Sequence, residues 1–359
     1  MTNQQKIAIL CNYELLPERV GGMDYFYWMF DQKCKENNIK VDWFFPNTSN
    51  HGDYKNLQIK ASNDKTIESF FIEELKQHNT AYTHIITHFI ELCTPFFKEI
   101  KQISSAKIIA VDHNPRPLNG YPLKKKMVKR LKGFLYANYI ELFVGVSNYT
   151  VHEILKDFGK HLRKKTITIY NGVLLDDIQV RENRNTLNPT FLVASHLRQS
   201  KGIQDLIEAV AQLPNAIKTD IRIDVYGDGP YKEFLQQQVK ELQVEPVFSF
   251  KGSQSNLKEI YCLYDYMLQP THMECFSLSI LESLAANVPV ITTNVGGNEE
   301  AVVNAQNGYI FKAKEVKALA TILEELYLGI KKIDANTRLD IENNFSLSQM
   351  VDNHFKLIH

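Results

Sequence analysis

The chain has 359 residues, 44% apolar and 23% charged, which suits two soluble domains and is too long for one small core. Lys+Arg and Asp+Glu both number 41, so net charge offers no case for a nucleic-acid partner. Five scattered cysteines without a C-x-x-C pair point to reduced thiols in a cytosol, not to a disulfide framework or a zinc site.

The N-terminus enters a strand directly (residues 7–10, IAIL), with no basic leader or cleavage site. No run of 18 apolar residues follows, so the chain is expected to stay in the compartment where it is made. A loop ending in Gly21-Gly22 opens an aromatic-rich helix over 23–37, followed by a strand at 41–45. Helix 67–77, strands 85–87, 107–111 and 142–147, helix 148–158 and strand 166–170 complete a first half. The polar stretch 181–188 (RENRNTLN) reads as a linker. Alternation then restarts with strand 190–194, helix 203–213, strand 221–226 and helix 231–242. Such alternation argues for parallel sheets in two doubly wound α/β domains. Ligands of such sheets bind at the carboxyl ends of the strands, which places the expected site in a cleft between the domains.

The most informative stretch is 269–301, QPTHMECFSLSILESLAANVPVITTNVGGNEEA. Glu274 and Glu282 are separated by seven residues, the first just before a helical pattern and the second inside it. Asn287 and Pro289 end that helix, and Val290, Ile291, Thr292 and Thr293 form a short β-branched strand. Backbone N–H groups from Glu274 through Cys275, Phe276, Ser277 and Leu278 lie at a helix N-terminus, where unpaired donors and the helix dipole favour a diphosphate. Glu282, about a turn in, is placed to accept hydrogen bonds from a vicinal diol such as a ribose. Glu274 is left to reach another part of the same ligand. Gly227 and Gly229 flank Asp228 between a strand and a helix, where they either let backbone approach a ligand closely or simply make a tight strand-to-helix turn.

This pattern resembles the E-x7-E signature of retaining glycosyltransferases, family 4, which have the GT-B fold. The resemblance covers nearly the whole chain, with its specific motifs mostly in the second half. It implies two Rossmann-like domains facing a central cleft. The first, over 1–180 plus a C-terminal helix at 345–359 crossing back, would bind the acceptor; the second, over 188–344, would bind a nucleotide sugar. It also implies roles. Glu274 would face the donor sugar and Glu282 the ribose, while Lys201, with an Arg, would clamp the diphosphate. The family Arg falls on His196 here, with Arg198 two positions later, so either residue is a candidate replacement. Gly252, in FKGS, would lie beside the base; Glu300, in G-G-x-x-E, near the nucleotide; Gly21 and Gly22 beside the donor phosphate; and His113 at the donor sugar.

The implied reaction is transfer of a hexose-type sugar from a UDP- or GDP-sugar to a saccharide or lipid-linked acceptor hydroxyl with retention. Its expected setting is cell-surface polysaccharide or glycolipid synthesis. No D-x-D motif occurs, so a metal bridging the diphosphate is not indicated, and no other cofactor is expected. Two other readings share the fold: another enzyme such as a sugar-nucleotide epimerase, and a non-catalytic nucleotide-sugar binding module. Lys124, Lys125, Lys126, Lys129, Arg130 and Lys132 put six cations into nine residues without an acid. Interleaved apolar residues make this an amphipathic helix, kept short by Pro122 and Gly133. It reads either as a solvated face or as a docking surface for an anionic membrane, with the protein cytoplasmic and peripheral at the inner face.

Overall fold

A computed structural model describes residues 4–17, 20–78, 80–183 and 187–359 of the chain. Most of the expected linker is described, but its residues 184–186 lie outside that set. The chain forms two compact units. The first holds the residues up to Asn114, Gly120–Asn171 and Leu347–His359; the second holds Pro115–Asn119 and Gly172–Ser346.

In the first unit the order is β1 (Lys6–Cys11), α1 (Gly22–Glu36), β2 (Lys40–Phe45), β3 (Ile59–Ala61), α2 (Ile67–His78) and β4 (His84–His88). It continues with α3 (Pro95–Ile103), β5 (Lys107–Asp112), α4 (Leu123–Tyr136), β6 (Leu142–Gly145), α5 (Asn148–Phe158) and β7 (Thr166–Thr168). The second unit runs β8 (Phe191–Ala194), α6 (Ile203–Ala211), α7 (Asn215–Asp220), β9 (Ile223–Tyr226), α8 (Lys232–Glu241), β10 (Phe248–Gly252) and α9 (Leu257–Ile260). After it come β11 (Tyr266–Gln269), α10 (Leu278–Ala285), β12 (Val290–Thr293), α11 (Asn298–Ala301), β13 (Gly308–Phe311), α12 (Val316–Tyr327) and α13 (Arg338–Asn344). The last helix, α14 (Leu347–Phe355), returns to the first unit.

Among the described residues the first sheet has strand order β3-β2-β1-β4-β5-β6-β7 and the second β10-β9-β8-β11-β12-β13, every pairing parallel. Both are doubly wound orders whose direction reverses once, between β1 and β4 and between β8 and β11. Helices cover both faces of each sheet, so central strands are apolar without alternation: Ile7, Ala8, Ile9 and Leu10 are all buried, as are Phe191, Leu192 and Val193.

Local chemistry sets the helix ends. Ser147 caps α5 by accepting a bond from the Thr150 N–H at 3.1 Å, so β6 stops at Gly145, short of the expected 147. β7 likewise ends at Thr168, two residues before the expected end. Asn287, with φ of 60°, terminates α10 as its side chain permits. Residues 172–180, expected in the first domain, pack with the second unit, where the Gln179 N–H donates to the Lys258 carbonyl at 3.1 Å. α14 lies on α1, joined by the Lys33–Asp352 ion pair and by Phe26 against His354 at 4.8 Å. α4 corrects the expectation that Gly133 would shorten it: the helix passes through Gly133 to Tyr136. Glycine is required there by packing, because a Cβ would sit 2.1 Å from the Phe158 carbonyl oxygen of α5.

Candidate functional site

At the reversal point of the second sheet, β8 runs into the loop carrying Lys201, and β11 into the loop carrying Glu274. The two loops are stitched together: the His272 N–H and the Thr271 hydroxyl both donate to the Ser200 carbonyl, at 2.8 and 3.1 Å. Gly202, with φ of 70°, makes this approach possible, since a Cβ would fall 1.8 Å from the Pro270 carbonyl oxygen. The result is a direct ion pair, Lys201 Nζ to Glu274 Oε2 at 2.8 Å, with both side chains about a fifth exposed (22% and 16%). Glu274 also accepts from the Cys275 N–H at 3.2 Å. Its backbone lies against Gly296, where a Cβ would come 2.1 Å from the Glu274 carbonyl oxygen.

Behind this pair Gln269, the last residue of β11, donates to the Ser277 hydroxyl at 2.8 Å. Ser277 caps α10 by accepting the Ile280 N–H at 3.4 Å, which orients the helix N-terminus. Cys275 and Phe276 are buried, and the Phe276 ring packs on Phe345 at 5.3 Å, so only their backbone can serve a ligand. Glu282 accepts a bond from the Tyr261 hydroxyl at 3.1 Å. Burial pushes the Glu282 carboxyl up to about 6, against the opposing pull of that hydrogen bond and of the Lys258 charge. Gly227 and Gly252 meet directly, the N–H of the first donating to the carbonyl of the second at 2.8 Å. Glu300 is half-buried in α11, with Leu278 similarly placed at the start of α10. His196 and Arg198 are both exposed; nearby, hydrogen bonds from Lys232 and the Gly229 N–H hold the Asp228 carboxyl below its ordinary value, with His196 adding least.

The first unit has its own reversal point, between β1 and β4. His88 ends β4, and His113 follows β5; His88 Nδ1 lies 3.0 Å from His113 Nε2, one ring donating to the other. His113 stacks on Phe89 at 4.2 Å, and Phe89 holds a φ of 59° that is uncommon for a bulky residue. His354, from α14, lies 6.0 Å from the His88 ring. Burial holds His113 down to about 3 and His354 to about 4, and pushes His88 well below the ordinary range, so these rings are neutral near pH 7.

The amide expected of Gly21 is already engaged. The Gly21 N–H donates to Asp24 Oδ2 at 2.9 Å, and buried Asp24 also accepts from Tyr54 at 2.6 Å and Tyr13 at 3.1 Å. A carboxylate from within α1 therefore fills the anion position at that helix N-terminus, with Gly22 as its first residue.

Residues 176–340 match the family model described as glycosyl transferases group 1. The second unit is a group 1 glycosyltransferase domain. Of curated relatives, the N-acetyl-alpha-D-glucosaminyl L-malate synthase of Bacillus anthracis is 33% identical over 126 residues, 35% of this chain and 32% of that protein. The chain thus spans about a third of that relative's length. The capsular polysaccharide biosynthesis glycosyltransferase CapM of Staphylococcus aureus is 26% identical over 347 residues, covering 81% of this chain and 88% of CapM. Among solved structures, Anabaena Alr3699/HepE in complex with UDP-glucose superposes with a TM-score of 0.77 at 16% identity, over 98% of this chain and 99% of that one. That likeness is one of fold, and it makes the architecture GT-B.

Within this glycosyltransferase domain, Lys201, Glu274, Ser277 and the start of α10 come together as the sequence pattern implies. Tyr261, Gln269 and, in the first unit, His88 were not foreseen from sequence. His88 closes the strand HIITH at its carboxyl end, a position that marks it once the strand order is known. Tyr261 carries no such signal, because its link to Glu282 crosses from the turn after α9 to α10.

Proposed function

We infer that the chain is a retaining glycosyltransferase that moves a hexose-type sugar from a nucleotide diphosphate sugar to an acceptor hydroxyl. The observation that carries this reading is the Lys201–Glu274 pair at 2.8 Å, set at the sheet reversal point beside the N-terminus of α10. Lys201 meets the diphosphate, and bound donor displaces Glu274 from it toward the sugar. Glu282, held by Tyr261, takes the ribose hydroxyls. The bond from the sugar anomeric carbon to the diphosphate oxygen breaks, and the acceptor oxygen bonds to that carbon on the same face. The acceptor proton passes to the leaving diphosphate. Charge developing there is carried by Lys201 and the helix N-terminus, so the chemistry proposed uses no metal.

UDP-sugar is the donor favoured, because Alr3699/HepE is described in complex with UDP and UDP-glucose. The CapM likeness supports cell-surface polysaccharide or glycolipid synthesis on a saccharide or lipid-linked acceptor. No helix of the described residues is long and apolar enough to cross a membrane. The basic helix α4 supports a cytoplasmic protein that meets an anionic inner membrane face peripherally.

A thermal-shift screen of UDP-, GDP- and ADP-sugars tests the donor assignment, since a ligand at 100 times its Kd stabilises by roughly 2.7 kcal/mol. UDP-sugars are expected to raise Tm most, and NMR of the product should show the donor's anomeric configuration. Absence of any shift, together with no nucleotide release over an acceptor panel, would overturn the reading.

A further inference from the structure

α4 is built inside out. Lys129 points into the protein, 3.3 Å from Asp157 and 4.8 Å from each of the Tyr121 and Phe158 rings. Gly133, one turn on, lies against the backbone of α5. At 3.6 residues per turn, the opposite side of the helix carries Leu123, Phe134, Met127, Leu131, Leu135 and Val128 in an arc of about 140°. All six are exposed: Leu123 by 78%, Phe134 by 76%, Met127 by 73% and Leu131 by 57%. They make up six of the sixteen exposed large hydrophobic residues among those described. The neighbouring helix α3 does the reverse, burying Phe96, Phe97 and Ile100.

Cations border the arc. Arg130 and Lys126 flank one side, Lys125 and Lys132 the other, and Lys124 lies within it near the N-terminus. Lys132 is paired with Glu91 at 2.7 Å, while Lys124, Lys125, Lys126 and Arg130 are exposed. α4 itself contains no acidic residue. An apolar arc rimmed by cations and turned squarely away from its own unit has one natural counterpart, an anionic lipid surface. Apolar side chains enter the acyl boundary there, and lysine stems run back to the phosphates. A second copy would bring two cationic rims together.

We propose that α4 docks by inserting this apolar arc into an anionic bilayer, with Leu123, Met127, Leu131 and Phe134 as the inserted residues. The inference deepens the peripheral-membrane reading and rests on it. It differs from adsorption through the lysine cluster, because Lys129 is committed to Asp157 and is not a docking cation.

Flotation of the full chain with phosphatidylglycerol-containing and phosphatidylcholine-only vesicles, at low and high salt, tests it. Binding should require phosphatidylglycerol at low salt and keep a salt-resistant fraction. Leu131→Ser and Phe134→Ser should each weaken it roughly tenfold, given the burial each side chain loses. Tryptophan fluorescence of Phe134→Trp should shift to the blue on the same vesicles. Binding removed wholly by salt and indifferent to these substitutions would leave adsorption and overturn insertion. Absence of binding to either vesicle would overturn both. A dimer in sedimentation that Phe134→Ser converts to monomer would make the arc a self-interface instead. Nucleotide release with a water-soluble acceptor should be unchanged in all variants, which separates this test from that of the transferase reading.

Discussion

Replacing Glu282 with Gln should stabilise the protein and weaken its hold on nucleotide, and pH should separate the two effects. Burial lifts the Glu282 carboxyl from 4.5 to about 6, so the folded chain holds this proton more tightly than the unfolded chain does. Stability from this group is therefore fully present below pH 4.5 and falls as pH rises through 6. At 1.36 kcal/mol per pH unit, that rise from 4.5 to about 6 makes ionised Glu282 cost about 2 kcal/mol at neutral pH. Glu282→Gln keeps an acceptor for the Tyr261 hydroxyl without the charge. Scanning calorimetry at pH 8 should then show the transition of the second unit about 4–8 °C higher in the variant, and the gap should close by about pH 4.5. Titration calorimetry with UDP should show the opposite sign: weaker binding by the variant at pH 8, and wild-type affinity that falls below about pH 6 as the carboxylate takes up its proton. A stability gap that is the same at every pH, or a variant melting below wild type at pH 8, would refute the burial argument. Equal UDP affinity at pH 8 would remove Glu282 from the ribose.

Lys201→Ala should lower turnover by roughly a hundredfold or more, as loss of one preorganised cation at a developing charge does, while Glu274→Gln should spare UDP affinity and reduce transfer. Full activity in Lys201→Ala, read as nucleotide release, would remove the 2.8 Å pair from the chemistry. For the histidine cluster, the folded rings stay neutral while unfolded histidine takes up a proton below 6.5. Stability is thus present above that value and lost as pH falls, each ring contributing up to about 1.4 kcal/mol per pH unit. His354→Phe should flatten this acid limb in urea midpoints taken from pH 7.5 to 5, and parallel limbs would contradict the assignment.

The periodic parts of the chain were legible because parallel sheets bury both faces. β1, β2, β4, β5, β8 and β12 are short apolar runs, and the helices between them carry one apolar stripe each. The glutamates around α10 were legible because a helical pattern and its Asn287 stop fix their positions along one element. What escaped were interactions across elements. Tyr261 reaches Glu282, and Asp24 satisfies Gly21; neither pairing has a spacing rule, because each depends on how one element lies against the next.

α4 shows the same limit most sharply. Six cations in nine residues with interleaved apolar residues read as an amphipathic helix of unassigned orientation, and Gly133 as its stop. Helical phase puts Lys129 and Gly133 about 40° apart on one side, so a single packing contact decides the orientation of the whole element. Gly133 admits the backbone of α5 where a Cβ would meet the Phe158 carbonyl oxygen at 2.1 Å. With that side committed, Lys129 must find a carboxylate, and Asp157 supplies it at 3.3 Å. The arc centred opposite then has nowhere to go but outward, whatever its hydrophobicity. An ordinary surface helix would have carried its leucines on the glycine side. Here the close contact is reserved for glycine and a neutralised lysine, which leaves Leu123, Met127, Leu131 and Phe134 to a surface the chain itself does not provide.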